Sequence, residues 1–72
     1  MSEWFYIRHR EGSESKKVGP FESAAKVRRF VAHNIADNGN GNIGDASKFA
    51  RSMPAPGVCE FRPGLIFEVT RE

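Results

Sequence analysis

Residues 22–36, ESAAKVRRFVAHNIA, carry the longest regular pattern in this chain and constrain everything around them. Ala24, Val27, Phe30 or Val31, and Asn34 or Ile35 recur at helical spacing, which draws one apolar stripe along a helix. Ser23 stands where an N-cap is wanted, although no Glu or Gln follows three residues later to complete a capping box. A helix with one apolar stripe needs a cover. In 72 residues with one cysteine, Cys59, no internal disulfide can add stability. The cover must therefore be a hydrophobic surface built from the rest of the chain.

The flanking segments read as strands. EWFYIRHR, residues 3–10, is rich in aromatic and β-branched side chains. In an extended chain Trp4, Tyr6, Arg8 and Arg10 share one face, and Phe5, Ile7 and His9 share the other. The Phe5/Ile7 face is the expected core side, which leaves Trp4 and Tyr6 beside two arginines on a partly covered face. EGSESKK, residues 11–17, is a polar turn. KVGPF, residues 17–21, returns as a short strand expected to stop at Pro20, because proline cannot donate to a ladder. At the other end, GVCEFRPGLIFEVTRE, residues 57–72, reads as two strands around Pro63-Gly64, a pair that suits a type II turn or a slightly longer loop. Cys59 and Phe61 then point one way, and Leu65, Phe67 and Val69 share a face, while Glu60, Arg62, Glu68 and Thr70 alternate outward.

Between the main helix and the second hairpin lies NIADNGNGNIGD, residues 34–45. It suggests a calcium loop, which needs oxygen ligands at positions 1, 3 and 5, Gly at 6 and Glu at 12. Counting from Asn38 supplies Asn40 and Asn42, but puts Ile43 at position 6 and Phe49 at position 12. Counting from Asp37 puts Gly39 and Gly41 at ligand positions. Both registers fail, and no metal is expected. Glycines 39, 41 and 44 also spell G-x-G-x-x-G, but that fingerprint follows a strand, whereas this one follows a helix. Residues 37–44 are expected to be a flexible loop. Asp45 then reads as the N-cap of a short helix with Ala46, Phe49, Ala50 and Met53 on one stripe, stopped by Pro54 and Pro56.

These elements predict a single α+β domain over residues 1–72: a β-hairpin, a main helix, a short second helix and a C-terminal β-hairpin, with a small antiparallel sheet packed against the main helix. No enzyme chemistry is expected. Cys59 sits beside Glu60 with no base nearby in sequence, and a catalytic thiolate needs an electropositive niche. His9 and His33 fall on different elements, without HxxxH, CxxC or paired-carboxylate spacing, so no cofactor or metal is expected. The N-terminal apolar run is too short for a signal peptide and no stretch is long enough to span a membrane. With a lone thiol, this suggests a monomer in a reducing cytoplasm.

Charge then points to a partner. Residues 1–33 hold seven Lys/Arg against four Glu, while the whole chain is only +2. Lys26, Arg29 and His33 fall on a second, basic face of the main helix. Trp4, Tyr6, Arg8 and Arg10 are the expected contact strand, of the residue types that dominate binding hot spots, with Lys26, Arg28 and Arg29 as an electrostatic guide. Edge strands offer a second route, through strand addition to a partner sheet. The alternative use of the same residues is a small nucleic-acid-binding protein, pairing phosphate contacts with base stacking.

In length and element order, WFYIR, VGPFESAAKVRRFVA and CEFRPGLIFEVT together resemble small bacteriophage host-takeover proteins. The resemblance implies a non-enzymatic regulator that occupies a surface of a large host complex, with host RNA polymerase as the first expected target and transcription as the process modulated. It transfers no individual site residue.

Overall fold

The computed structural model describes residues 3–39 and 41–72. The element order is β1 (Trp4–Arg10), β2 (Lys16–Phe21), α1 (Ala24–Asp37), α2 (Ile43–Ser52), β3 (Gly57–Arg62) and β4 (Leu65–Arg71). The four strands form one antiparallel sheet in the order β2-β1-β4-β3. Strands from the two ends of the chain thus pair at its centre, and Glu3 and Glu72 exchange backbone hydrogen bonds at 2.6 and 2.8 Å. The fold is α+β, with both helices contributing to one core on one side of the sheet.

Local chemistry explains the helices. The Ser23 hydroxyl accepts from the Lys26 N–H at 3.3 Å, and Val27, Val31 and Ile35 are fully buried along α1. At the other end Gly39, with φ +71°, donates to the Ala36 carbonyl at 3.1 Å and closes the helix in the left-handed conformation that glycine accepts at low cost. Helix α2 begins two residues before the expected Asp45. Its N-cap is Asn42, whose Oδ1 accepts from the Asp45 N–H at 2.8 Å while its Nδ2 donates to the Asp45 carboxylate at 3.0 Å. Asp45 therefore lies inside the first turn, where a carboxylate also meets the helix dipole favourably. The connection expected over 37–44 is correspondingly shorter, because Asp37 ends α1 and Ile43 and Gly44 open α2. Asn40 of the rejected calcium register lies outside the described residues.

The first strand corrects the sequence reading. Tyr6 faces Val69, Arg8 faces Phe67 and Arg10 faces Leu65 across the central pair. Directly opposed residues share a face of an antiparallel sheet. Since Leu65, Phe67 and Val69 are all buried, the Trp4/Tyr6/Arg8 face is the core side. Phe5, Ile7 and His9 lie on the opposite face with Thr70, Glu68 and Ile66. Tyr6 is only 4% exposed, and its ring stacks at 5.9 Å on Phe21 and meets Phe67 at 6.1 Å.

Both edge strands are irregular. Strand β2 runs through Pro20 instead of stopping there, which its edge position allows. Trp4 pairs with Phe21 and Tyr6 with Val18, so β2 carries an extra residue around Gly19-Pro20. At the far edge Glu60 pairs with Ile66 and Arg62 with Leu65, which leaves Phe61 at a bulge, its ring edge-on to Phe49 at 5.1 Å. Gly19 has φ +149°, and a Cβ there would lie 2.5 Å from the Phe5 ring and 2.9 Å from the Trp4 carbonyl oxygen. Gly19→Ala should lower stability by about 1–3 kcal/mol, read as a shift in the urea midpoint. An unchanged midpoint would mean that Phe5 does not pack over this glycine.

Candidate functional site

The expected contact strand does not form a surface patch. Tyr6 belongs to the core, and Trp4 is half-buried against it, with the Arg71 guanidinium 5.5 Å from its ring centroid. Arg8 is half-buried with its Nε shielded from solvent, and only Arg10 of the four is exposed. Burial pushes the Tyr6 phenol above its ordinary pKa, against the opposing influence of the Arg8 charge and a long hydrogen bond from Asn34 at 3.5 Å. Edge addition is also disfavoured by the structure, because the bulges on β2 and β3 interrupt the ladder that a partner strand would extend.

Helix α1 is where accessible functional groups converge. Lys26, Arg29 and His33 share the outward face that helical spacing predicts, and Phe30 lies among them. Phe30 is 49% exposed, although its ring rests at 4.9 Å on that of Phe21. The stripe thus uses Val31 for the core and leaves Phe30 at the surface. Lys26 pairs with Glu22 one turn back at 3.3 Å, which leaves Arg29 and His33 as exposed neighbours of the ring.

On the other flank of α1, a groove of about 470 Å³ runs between the two helices. Arg28, Arg29 and Arg51 line it together with Ala25 and the buried Ala32 and Ala50, and among the described residues no acidic side chain lines it. Arg28 is not the free electrostatic guide expected from the sequence. Its Nη2 donates to the Met53 carbonyl at 3.0 Å, tying α1 to the C-terminal end of α2. That carbonyl is at the negative pole of α2, where a cation is favourable. Arg51 was missed by the sequence reading, since only the packing of α2 on α1 brings it to Arg28 and Arg29.

The sheet face away from the helices carries its own polar brace. His9 Nδ1 lies 2.7 Å from the Ser15 hydroxyl and Nε2 lies 3.2 Å from the Glu68 carboxylate, linking the hairpin turn to β4 across β1. Lys17 lies over the Phe5 ring at 4.3 Å and pairs with Glu72. These contacts satisfy side chains that would otherwise be open to a partner. Cys59 is a half-buried free thiol packed against the core. Among the described residues, no group of three or more His, Cys, Asp or Glu is gathered as a metal would require, and no helix is long and apolar enough to cross a membrane.

Compared with known proteins, the chain matches no family model, no curated protein and no solved structure.

Proposed function

We propose that this chain is a small non-enzymatic regulator that acts by binding a protein, with the outward face of α1 as the contact. The observation that carries this reading is Phe30, a large aromatic left half-exposed on a rigid helix and flanked by Lys26, Arg29 and His33. Aromatic residues, Phe among them, and Arg are both enriched at protein interfaces relative to the rest of the surface. A helix face also presents such groups with little ordering cost on binding. The target proposed first is host RNA polymerase in the bacterial cytoplasm, on the resemblance in size and element order to phage host-takeover proteins. Nucleic-acid binding is the weaker reading, because Tyr6 is in the core and Trp4 is half-buried, so β1 offers no stacking platform.

The test is affinity capture from nuclease-treated bacterial lysate, followed by titration against purified host RNA polymerase. The expected result is binding that survives nuclease and falls roughly 30-fold or more in Phe30→Ala, as for a hot-spot residue. Phe30→Ala should keep the wild-type circular dichroism spectrum, because the ring is largely outside the core. Partners that all disappear on nuclease treatment would replace this reading with nucleic-acid binding. Polymerase that binds wild type and Phe30→Ala equally would move the contact off α1.

A further inference from the structure

We infer that the groove between α1 and α2 is a recognition site for an acidic segment of a protein partner, one presenting two or three Asp or Glu side chains. The inference rests on the protein-binding reading above and adds the chemistry of what is bound.

Three arginines, Arg28, Arg29 and Arg51, line one groove, and among the described residues no Asp or Glu lines it. Clustered like charges repel one another, and among the described residues no Asp or Glu stands at the groove to offset that repulsion. A ligand with carboxylates would offset it. Guanidinium and carboxylate match as planar, bidentate partners. Arg28 is also held in place by its bond to the Met53 carbonyl, so less of its freedom is lost on binding.

The apolar lining bears on which anions fit. The buried Ala32 and Ala50 and the exposed Ala25 give the groove an apolar lining beside the arginines, with Ser47 as a further polar residue. The methylenes of Asp and Glu, or a small apolar residue between them, can lie against these methyl groups while their carboxylates reach the arginines. A nucleic-acid strand also presents anions that guanidinium binds. It also gains from aromatic stacking, which β1 does not offer here. The volume, about 470 Å³, is within the roughly 300–1,000 Å³ of ordinary ligand sites and suits a few residues of a peptide. Arg29 lines both this groove and the Phe30 patch, so an acidic segment could lie beside the Phe30 contact within one interface.

The experiment titrates the full chain into three fluorescein-labelled probes read by anisotropy. The first is a short peptide alternating Glu and Ala, the second is the same peptide with Gln for Glu, and the third is a single-stranded oligonucleotide of equal charge. The acidic peptide should bind at least about tenfold tighter than either other probe and weaken as salt rises. Arg51→Glu and Arg29→Glu should each reduce its affinity at least about tenfold with an unchanged circular dichroism spectrum. Lys16→Glu, an equal charge change on β2, should have little effect. Equal binding of the Gln peptide, tighter binding of the oligonucleotide, or an unaffected Arg51→Glu variant would overturn the inference. Failure of the broader reading is separable. If the acidic peptide binds through Arg51 while polymerase capture fails, the groove stands and the proposed target falls. If capture depends on Phe30 while the peptide does not bind, the groove alone is wrong.

Discussion

Phe67→Ala should leave this protein largely unfolded at room temperature. Phe67 is fully buried on the central strand β4, and Tyr6 and Phe49 both hold their rings about 6.1 Å from it. Removing a buried aromatic ring costs about 3–5 kcal/mol, from lost transfer energy and the cavity left behind. A domain of 72 residues without a disulfide has a total stability of roughly that size. Circular dichroism should therefore show loss of the folded signal without denaturant. Phe67→Leu, which keeps much of the apolar volume, should still fold with a lowered urea midpoint. A Phe67→Ala variant within about 1 kcal/mol of wild type would mean that this ring does not organise the core.

The second large effect is expected at Tyr6. Tyr6→Ala should destabilise by about 3 kcal/mol or more, because it empties a core site bounded by Phe21 and Phe67. Tyr6→Phe should be close to neutral, since the hydrogen bond its hydroxyl makes among the described residues is the long one from Asn34. The two variants separate a core role from a partner contact. A surface tyrosine would tolerate both and lose only binding.

Tyr6 should also set an alkaline limit on the fold. Burial raises its pKa above the ordinary 10.0, so the folded state favours the neutral phenol. The unfolded chain ionises first, near 10, and binds fewer protons there than the folded chain. This stabilisation is complete below that pH and is lost as pH rises from 10 through the higher folded value. Tyr6 is the chain's only tyrosine, so phenolate absorbance reports it alone. Wild type should lose stability in this range, and Tyr6→Phe should lose less. Equal losses in both would show that Tyr6 does not govern the alkaline limit.

The strand Trp4–Arg10 shows where sequence reasoning reaches its limit. Its two faces, Trp4/Tyr6/Arg8/Arg10 and Phe5/Ile7/His9, were both legible from period-two alternation. Each holds apolar groups beside polar ones, so the strand alone has no preference strong enough to say which goes inward. The C-terminal strand differs. Leu65, Phe67 and Val69 oppose Ile66, Glu68 and Thr70, and there the apolar face is unambiguous. Pairing Tyr6 with Val69 then settles the orientation of β1 through a contact between opposite ends of the chain.

The helices divide in the same way. Local spacing placed Ser23 as a cap and Lys26, Arg29 and His33 on one face, because a helix arranges near neighbours in sequence without help from the rest of the fold. Whether Phe30 or Val31 served the core could not be read locally, since the two lie side by side at the border of the stripe. The second cap was misread because Asn42 and Asp45 are both good N-cap residues, and their reciprocal bonds favour Asn42.

By itself, then, the sequence determined the element order, the α+β class, the helical spacing of α1 and the inward face of β4. All of these depend on periodicities within a single element. The tertiary structure alone decided that Tyr6 is core, that Phe30 is at the surface, and that Arg51 joins Arg28 and Arg29 at a groove. Each of those outcomes depends on the register or packing of segments far apart in the chain. Contacts of that kind leave no periodic trace in either segment.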